Sequence, residues 1–261
     1  MNLDLKGKTA LVCGSTQGIG KASAIELALL GANVTLVARN EDKLKICLTE
    51  LDNTLGQHHQ YLVADFEKPE QVKQQVIKFT AQHNVHILIN NTGGPPAGLA
   101  IDAKEEDFVK AFSSHLLCNH ILVQACAEGM KREKYGRIIN IISTSVKIPL
   151  RNLGVSNTIR GAVANWAKTL SVELAPFGIT VNNVLPGATM TGRLEAIINN
   201  QANKTGKAFE EAKEEMTKEI PAGRIGEARE VAAAVAFLAS PAAAYINGIN
   251  VPVDGGRTGS L

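Results

Sequence analysis

Gly14-Ser15-Thr16-Gln17-Gly18-Ile19-Gly20 stands between a β-rich run, Thr9 to Cys13, and a helical pattern. Glycines spaced G-x3-G-x-G permit a tight turn and let the backbone approach a pyrophosphate. The helix that follows offers unpaired N–H groups and the positive end of its dipole. In that setting the chemistry on offer is dinucleotide binding. A second cue lies at the end of the next β-rich run, Val37-Ala38-Arg39-Asn40. A carboxylate there would hold a ribose 2′-hydroxyl. None is present, and Arg39, with Asn40 beside it, can meet a 2′-phosphate through charge-assisted hydrogen bonds. The pattern favours NADP(H) over NAD(H). Arg39 as a plain solvated loop charge is the other reading. Asp65, closing a third β-rich run, is placed either to meet the adenine or to cap the following turn.

These residues need a scaffold that brings strand ends together. Strands are predicted at Thr9–Gly14, Asn33–Arg39, His59–Asp65, Ile87–Asn90, Gly136–Ser143, Thr180–Leu185 and Asn247–Val253. Several are near-continuous apolar runs, as strands covered on both faces are. Helical periodicities separate them; Val163, Ala167, Leu170 and Leu174 share one face, and Val231, Val235 and Leu238 another. The expectation is one α/β domain over residues 1–261, a Rossmann-type doubly wound parallel sheet of about seven strands, with its ligand crevice at their carboxyl ends. The rhythm breaks at Thr189 to Pro221, a charged stretch with a helical pattern over Glu210 to Glu219. It reads as a lid-like insertion at the crevice mouth or as a solvated surface helix. Gly93-Gly94-Pro95-Pro96-Ala97-Gly98 reads as a shaped loop forming one wall of a substrate pocket, or as a plain crossover.

Composition narrows the classes. A net charge of +2 gives no electrostatic call for nucleic acid or an anionic membrane. The longest apolar stretches, such as Val231 to Ala239, are too short to span a bilayer, and Met1 to Lys8 lacks the apolar core of a signal peptide. Cys13, Cys47, Cys118 and Cys126 have no metal-ligand spacing and read as reduced, buried thiols of a cytoplasmic protein. No metal site is expected from the histidines either. Lys204, Lys207, Lys213 and Lys218 are matched by Glu210, Glu211, Glu214 and Glu215, so the insertion's composition does not reveal a substrate charge. The expected partner is a small-molecule substrate.

Taken with further motifs, the chain resembles the short-chain dehydrogenase/reductase family over nearly its whole length. The motifs are Gly14–Gly20, Asn90-Asn91-Thr92-Gly93, Gly136 to Ser143, Val181 to Gly187, Gly223-Arg224-Ile225-Gly226 and Val253-Asp254-Gly255-Gly256. The resemblance implies that Ser15, Gln17, Ile19 and the glycines line a pyrophosphate loop. It implies that Asp65 and Phe66 border the adenine and that Asn91, Thr92 and Gly93 pass the ribose towards the nicotinamide. Pro186, Gly187 and Thr191 would face the nicotinamide end. The terminal Asp254-Gly255-Gly256 segment implies a homo-oligomer, tetramer or dimer.

The chain departs from the family where the chemistry is done. The family carries Tyr-x3-Lys on its fifth helix, with a Ser thirteen residues before the Tyr. Counting from Ser143 lands on Ser156, and Arg160 stands where the Lys would be. The family's helix-borne Asn aligns with His115. Tyr61, Tyr135 and Tyr245 lie in segments that cannot substitute. A serine hydroxyl is a far weaker acid than a phenol, and arginine does not relay protons as lysine does. Arg160 can still hold the nicotinamide ribose. His115, with an ordinary pKa near ~6.5, is a candidate proton donor or a satisfied helix histidine. Ser156 is a catalytic hydroxyl or a filler of the space a Tyr would occupy. Three functions stay open: conjugate reduction of an enone, with Ser143 and Arg160 stabilising an enolate; carbonyl reduction with His115 or water as acid; and a non-catalytic NADP(H)-binding sensor or assembly protein.

Overall fold

The computed structural model describes residues 1–260. Seven strands form one parallel sheet: β1 (Thr9–Cys13), β2 (Asn33–Ala38), β3 (Gln60–Val63), β4 (Ile87–Asn90), β5 (Gly136–Ile141), β6 (Ile179–Pro186) and, after two short strands described below, β9 (Asn250–Val253). Their order is β3-β2-β1-β4-β5-β6-β9, and every pairing is parallel. All seven predicted strands are present, most of them trimmed by one to three residues at an end.

Alternation along the strands explains the layers. Val12, Leu36, Ile89, Ile139 and Val184 face one side, Leu11, Val37, Leu88, Ile138 and Val181 the other, and all are buried. Helices α1 (Gly18–Leu29), α2 (Glu41–Leu48) and α9 (Ala228–Ala239) cover the first side through Leu27, Leu44 and Val235. Helices α3 (Pro69–Thr80), α5 (Cys118–Glu133) and α6 (Gly154–Leu174) cover the second through Val76, Leu122 and Ala167. The central strands β1, β4 and β5 are buried on both faces because each face is roofed by helices. The order reverses between β1 and β4, which opens the crevice at their carboxyl ends.

Helix α4 (Glu105–Phe112) runs into α5 through a π-helical turn, Ser113–Leu117. Side-chain amides knit the sheet beneath the crevice. Asn90 donates to Asn140 (2.8 Å), Asn140 to Asn183 (2.9 Å) and Asn183 to Asn250 (2.8 Å), each pair being register partners on neighbouring strands.

After β6 the chain leaves the body. Two-residue strands β7 (Thr189–Met190) and β8 (Gly226–Glu227) pair in parallel and close the stem of an excursion holding α7 (Gly192–Thr205) and α8 (Phe209–Lys218). Leu194, Ile198, Ala202 and Ala212 form a core of its own, joined by Phe209 and Met216. The sequence reading expected a single helix here, over Glu210 to Glu219. Helix α7 escaped it because Asn199, Asn200, Gln201 and Asn203 dilute the apolar spacing of Leu194, Ile198 and Ala202. No helix among the described residues is long and apolar enough to cross a membrane.

Candidate active site

The glycine loop is built for close approach. Gly14 and Gly18 have positive φ (+60° and +55°), and a Cβ on Gly20 would lie 2.2 Å from the Gly14 carbonyl oxygen. Asn91 Nδ2 reaches across from β4 to the carbonyls of Cys13 and Gly14, 3.3 Å each, tying the loop to the neighbouring strand end. Ile19 packs against the core below. Ser15 is fully buried, and its hydroxyl donates to the Val37 carbonyl (3.4 Å), tying the loop to β2. Half-buried Thr16 and exposed Gln17 are the polar residues beside the turn. Thr191, the N-cap of α7, comes within 3.1 Å of where a Gly18 Cβ would stand, so it closes over this loop as well as opening the excursion.

A cleft of about 390 Å³ lies beyond the ends of β2 and β3, lined by Arg39, Asn40, Val63, Asp65, Lys68 and Gln71. Arg39 is exposed, its Nη1 3.5 Å from Glu67 Oε1. Asn40 caps α2 through the Lys43 N–H (2.9 Å). Asp65 borders the cleft and also caps its turn, accepting from the Glu67 N–H (3.1 Å). Phe66 packs against the core between the sheet and α5. Lys68 and Gln71 went unnoticed in the sequence, because they sit at the start of α3 outside any motif. Two cations around a pocket whose carboxylate is engaged by backbone suit an added phosphate.

The other end of the crevice gathers His115, Ser143, Ser156 and Arg160. Ser156 and Arg160 lie one helical turn apart on α6, both buried. Arg160 Nη1 donates to the Ile141 carbonyl (3.1 Å) and Nη2 to that of Thr92 (3.5 Å), so it spans the ends of β5 and β4. Ser143 follows two residues after Ile141 and accepts from the Ser145 N–H (3.1 Å). His115 lies inside the π turn, and its Nδ1 hydrogen-bonds the Thr92 hydroxyl. Gly93 is exposed with open space at its Cα. Pro186 ends β6, and Gly187 is held by the Val253 carbonyl (3.0 Å) against Asp254. Arg193 of α7, absent from the sequence reading, donates to the carbonyls of Gly94 (2.7 Å) and Pro95 (2.9 Å). The Gly93–Gly98 loop is thus pinned by the excursion, and at its far end by Gly98 bonding Asn152 (2.9 Å) and Gly154 (3.0 Å).

Burial, with the guanidiniums of Arg160 and Arg193 nearby, pushes the His115 imidazole down to about 2. That environment favours the neutral ring, hydrogen-bonded to the Thr92 hydroxyl. Burial, with Arg193, lowers Arg160 to about 10, which leaves it cationic at neutral pH.

A crevice at a strand-order reversal, a glycine cradle, a cationic cleft and a guanidinium over two strand ends together suit a dinucleotide and an acceptor of negative charge. Comparison with known proteins agrees with this arrangement. A family model described as enoyl-(acyl carrier protein) reductase matches residues 14–258. The chain is 35% identical to the 3-oxoacyl-[acyl-carrier-protein] reductase FabG of Vibrio cholerae, over 97% of this chain and 98% of that one. It is 31% identical to the NADPH-dependent reductase BacG of Bacillus subtilis, over 97% and 99%. The L-sorbose reductase of Gluconobacter frateurii, complexed with NADPH and L-sorbose, superposes with a TM-score of 0.94 at 27% identity, covering 100% of both chains.

Proposed function

The chain belongs to the short-chain dehydrogenase/reductase family, and on that premise we propose that it is an NADP(H)-dependent oxidoreductase with an atypical active site, acting on a conjugated enone in preference to a simple carbonyl. The cofactor follows from Arg39 and Lys68 around the cleft, from the absence of a carboxylate at the end of β2, and from NADPH-using relatives. When bound, the reduced cofactor supplies hydride. The protein's task is then to manage the negative charge that appears on the acceptor's oxygen.

Arg160 carries the reading. It is a buried cation that does not give up its proton at neutral pH, fixed by the ends of β4 and β5. Ser156 occupies the family's Tyr position and is a weak acid; His115 occupies the Asn position and is neutral. Ser156 lacks the acidity of a phenol, the neutral His115 carries no spare proton, and Arg160 keeps its charge at neutral pH, but all three donate hydrogen bonds. A simple ketone yields an alkoxide whose full charge stays on one oxygen, with no phenol beside it to supply the proton. An enone spreads its charge into an enolate, which Arg160, Ser143 and Ser156 stabilise while water protonates carbon. The insertion at about 189–221 serves as the lid, and the assembly is a homo-oligomer.

The test is an NADPH fluorescence titration followed by turnover against an enone and its saturated ketone. NADPH is expected to bind, and the enone alone to consume it. Equal consumption by the ketone overturns the enone preference. Binding without consumption of either, unchanged in Ser156→Tyr/Arg160→Lys, favours a non-catalytic NADP(H)-binding sensor or assembly protein. If the pocket admits ketones, that double variant is expected to raise ketone reduction.

A further inference from the structure

The arginine of the cationic cleft already has an anion. Glu67 stands between two cations, its Oε1 3.5 Å from Arg39 Nη1 and its Oε2 3.1 Å from Lys110 Nζ. Arg39 lines the cleft beyond β2 and β3. Glu67 and Lys110 line a separate groove between the start of α3 and α4. The guanidinium that would meet a 2′-phosphate is therefore held from the groove side, by a carboxylate anchored to a lysine of α4. The neighbouring carboxylates are engaged elsewhere. Glu41 accepts from the Tyr61 hydroxyl (2.9 Å) and pairs with Lys45 (3.0 Å), and Asp65 accepts from the Glu67 N–H (3.1 Å). Of the acidic side chains beside the cleft, Glu67 is the one that pairs with Arg39.

A phosphate monoester carries about −1.5 to −2 charges at neutral pH, and a guanidinium fork binds it through paired hydrogen bonds. To dock on Arg39 it must break or share the pair with Glu67. A dinucleotide without that phosphate has no such need, so the cost of Glu67 falls on one cofactor alone. Exposure sets its size. The side chains of Arg39, Glu67 and Lys110 are 70%, 49% and 64% exposed, and ion pairs of that kind change binding by a few-fold, not by orders of magnitude. Lys110 limits the cost, because it lies closer to Glu67 than Arg39 does and stays with it when Arg39 is taken. We infer that Glu67 determines cofactor specificity as a resident competitor for Arg39: it lowers the preference for NADP(H), and Lys110 receives it when the phosphate binds. This rests on the NADP(H) reading above. The preference is then set by opposed charges, Arg39 and Lys68 for the phosphate and Glu67 against it.

The experiment is a fluorescence titration of NADPH and of NADH on the wild type and on variants at these three positions. Glu67→Gln is expected to tighten NADPH by about twofold to fivefold and to leave NADH within about 1.5-fold. The gain should shrink as salt rises. In the Arg39→Ala background Glu67→Gln should gain nothing, because the competition runs through the guanidinium. Lys110→Met should weaken NADPH by about twofold while Glu67 is present and leave it unchanged in Glu67→Gln. The substitutions are at exposed side chains, and a thermal melt confirms that each variant is folded. No tightening of NADPH in Glu67→Gln overturns the inference, and so does equal tightening of both cofactors. A gain that persists without Arg39 overturns it too, since Glu67 would then simply repel the phosphate. A Lys110→Met effect that survives in Glu67→Gln overturns the part given to Lys110. Arg39→Ala alone tests the cofactor reading: if it weakens NADPH and NADH alike, or neither, that reading fails whatever Glu67 does.

Discussion

Arg160 differs from a lysine in being planar and in keeping its proton, and the site around it is arranged accordingly. Its neighbour His115 makes the first prediction. The folded imidazole sits at about 2, and an unfolded histidine near ~6.5. Below ~6.5 the unfolded chain therefore binds a proton that the folded chain refuses. The stability that this neutral ring lends is complete above ~6.5 and falls by about 1.4 kcal/mol per pH unit below it. Between pH 7 and pH 5 the wild type should lose about 2 kcal/mol more than His115→Asn, read from urea unfolding at both pH values. Arg39→Ala is expected to weaken NADPH about tenfold or more and NADH hardly at all, because the lost partner is a 2′-phosphate. Comparable losses for the two cofactors in a fluorescence titration would remove Arg39 from that role. At this scale the sequence was informative about identity and uninformative about state. Counting from Ser143 locates Ser156 and Arg160. The protonation of His115 depends on its burial and on Arg193, which no local spacing connects to it.

The glycine loop and the asparagine ladder are properties of elements. Gly20→Ala would drive a methyl group into the Gly14 carbonyl at 2.2 Å and into Asn91 Nδ2 at 2.6 Å, and neither the backbone nor the tethered amide has room to yield. The expected result is loss of NADPH binding by about a hundredfold or more, on the order of 3 kcal/mol of displaced loop. Asn140→Ala interrupts the ladder at its middle and strands Asn90 Nδ2 and Asn183 Oδ1 in the core. At ~1–3 kcal/mol for each unsatisfied atom, a destabilisation of about 2–6 kcal/mol is expected in urea unfolding. The strands themselves were legible, because runs such as Ile87–Asn90 have one reading in an α/β chain. The ladder was not. Asn90, Asn140, Asn183 and Asn250 are ordinary strand residues until register aligns them. Nor was the π turn, whose one-residue slip re-aims His115 without leaving a trace in composition.

The body holds two large sheet-facing cores, and the excursion has a core of its own. Ile198, fully buried in the excursion, tests their independence. Ile198→Ala should cost its local core about 2–5 kcal/mol. Hydrogen exchange should speed up in α7 and α8 while amides of β4 to β6 keep their protection. Uniform loss of protection would mean that the excursion and the body unfold as one. The number of sheet strands and their parallel direction could be anticipated from strand–helix alternation. Helix α7 and its latch on the Gly94 and Pro95 carbonyls could not, because both depend on surfaces that meet only once the chain has returned to the body.

The pairing of Thr189 with Gly226 and of Met190 with Glu227 sets the exit and re-entry of the excursion one strand spacing apart, about 4.8 Å. A segment with adjoining ends is a cassette. Residues 191–225 can be exchanged for those of a relative with β6 and α9 left in register, so descendants of such a chain can diversify by grafting and inherit the dinucleotide half unaltered.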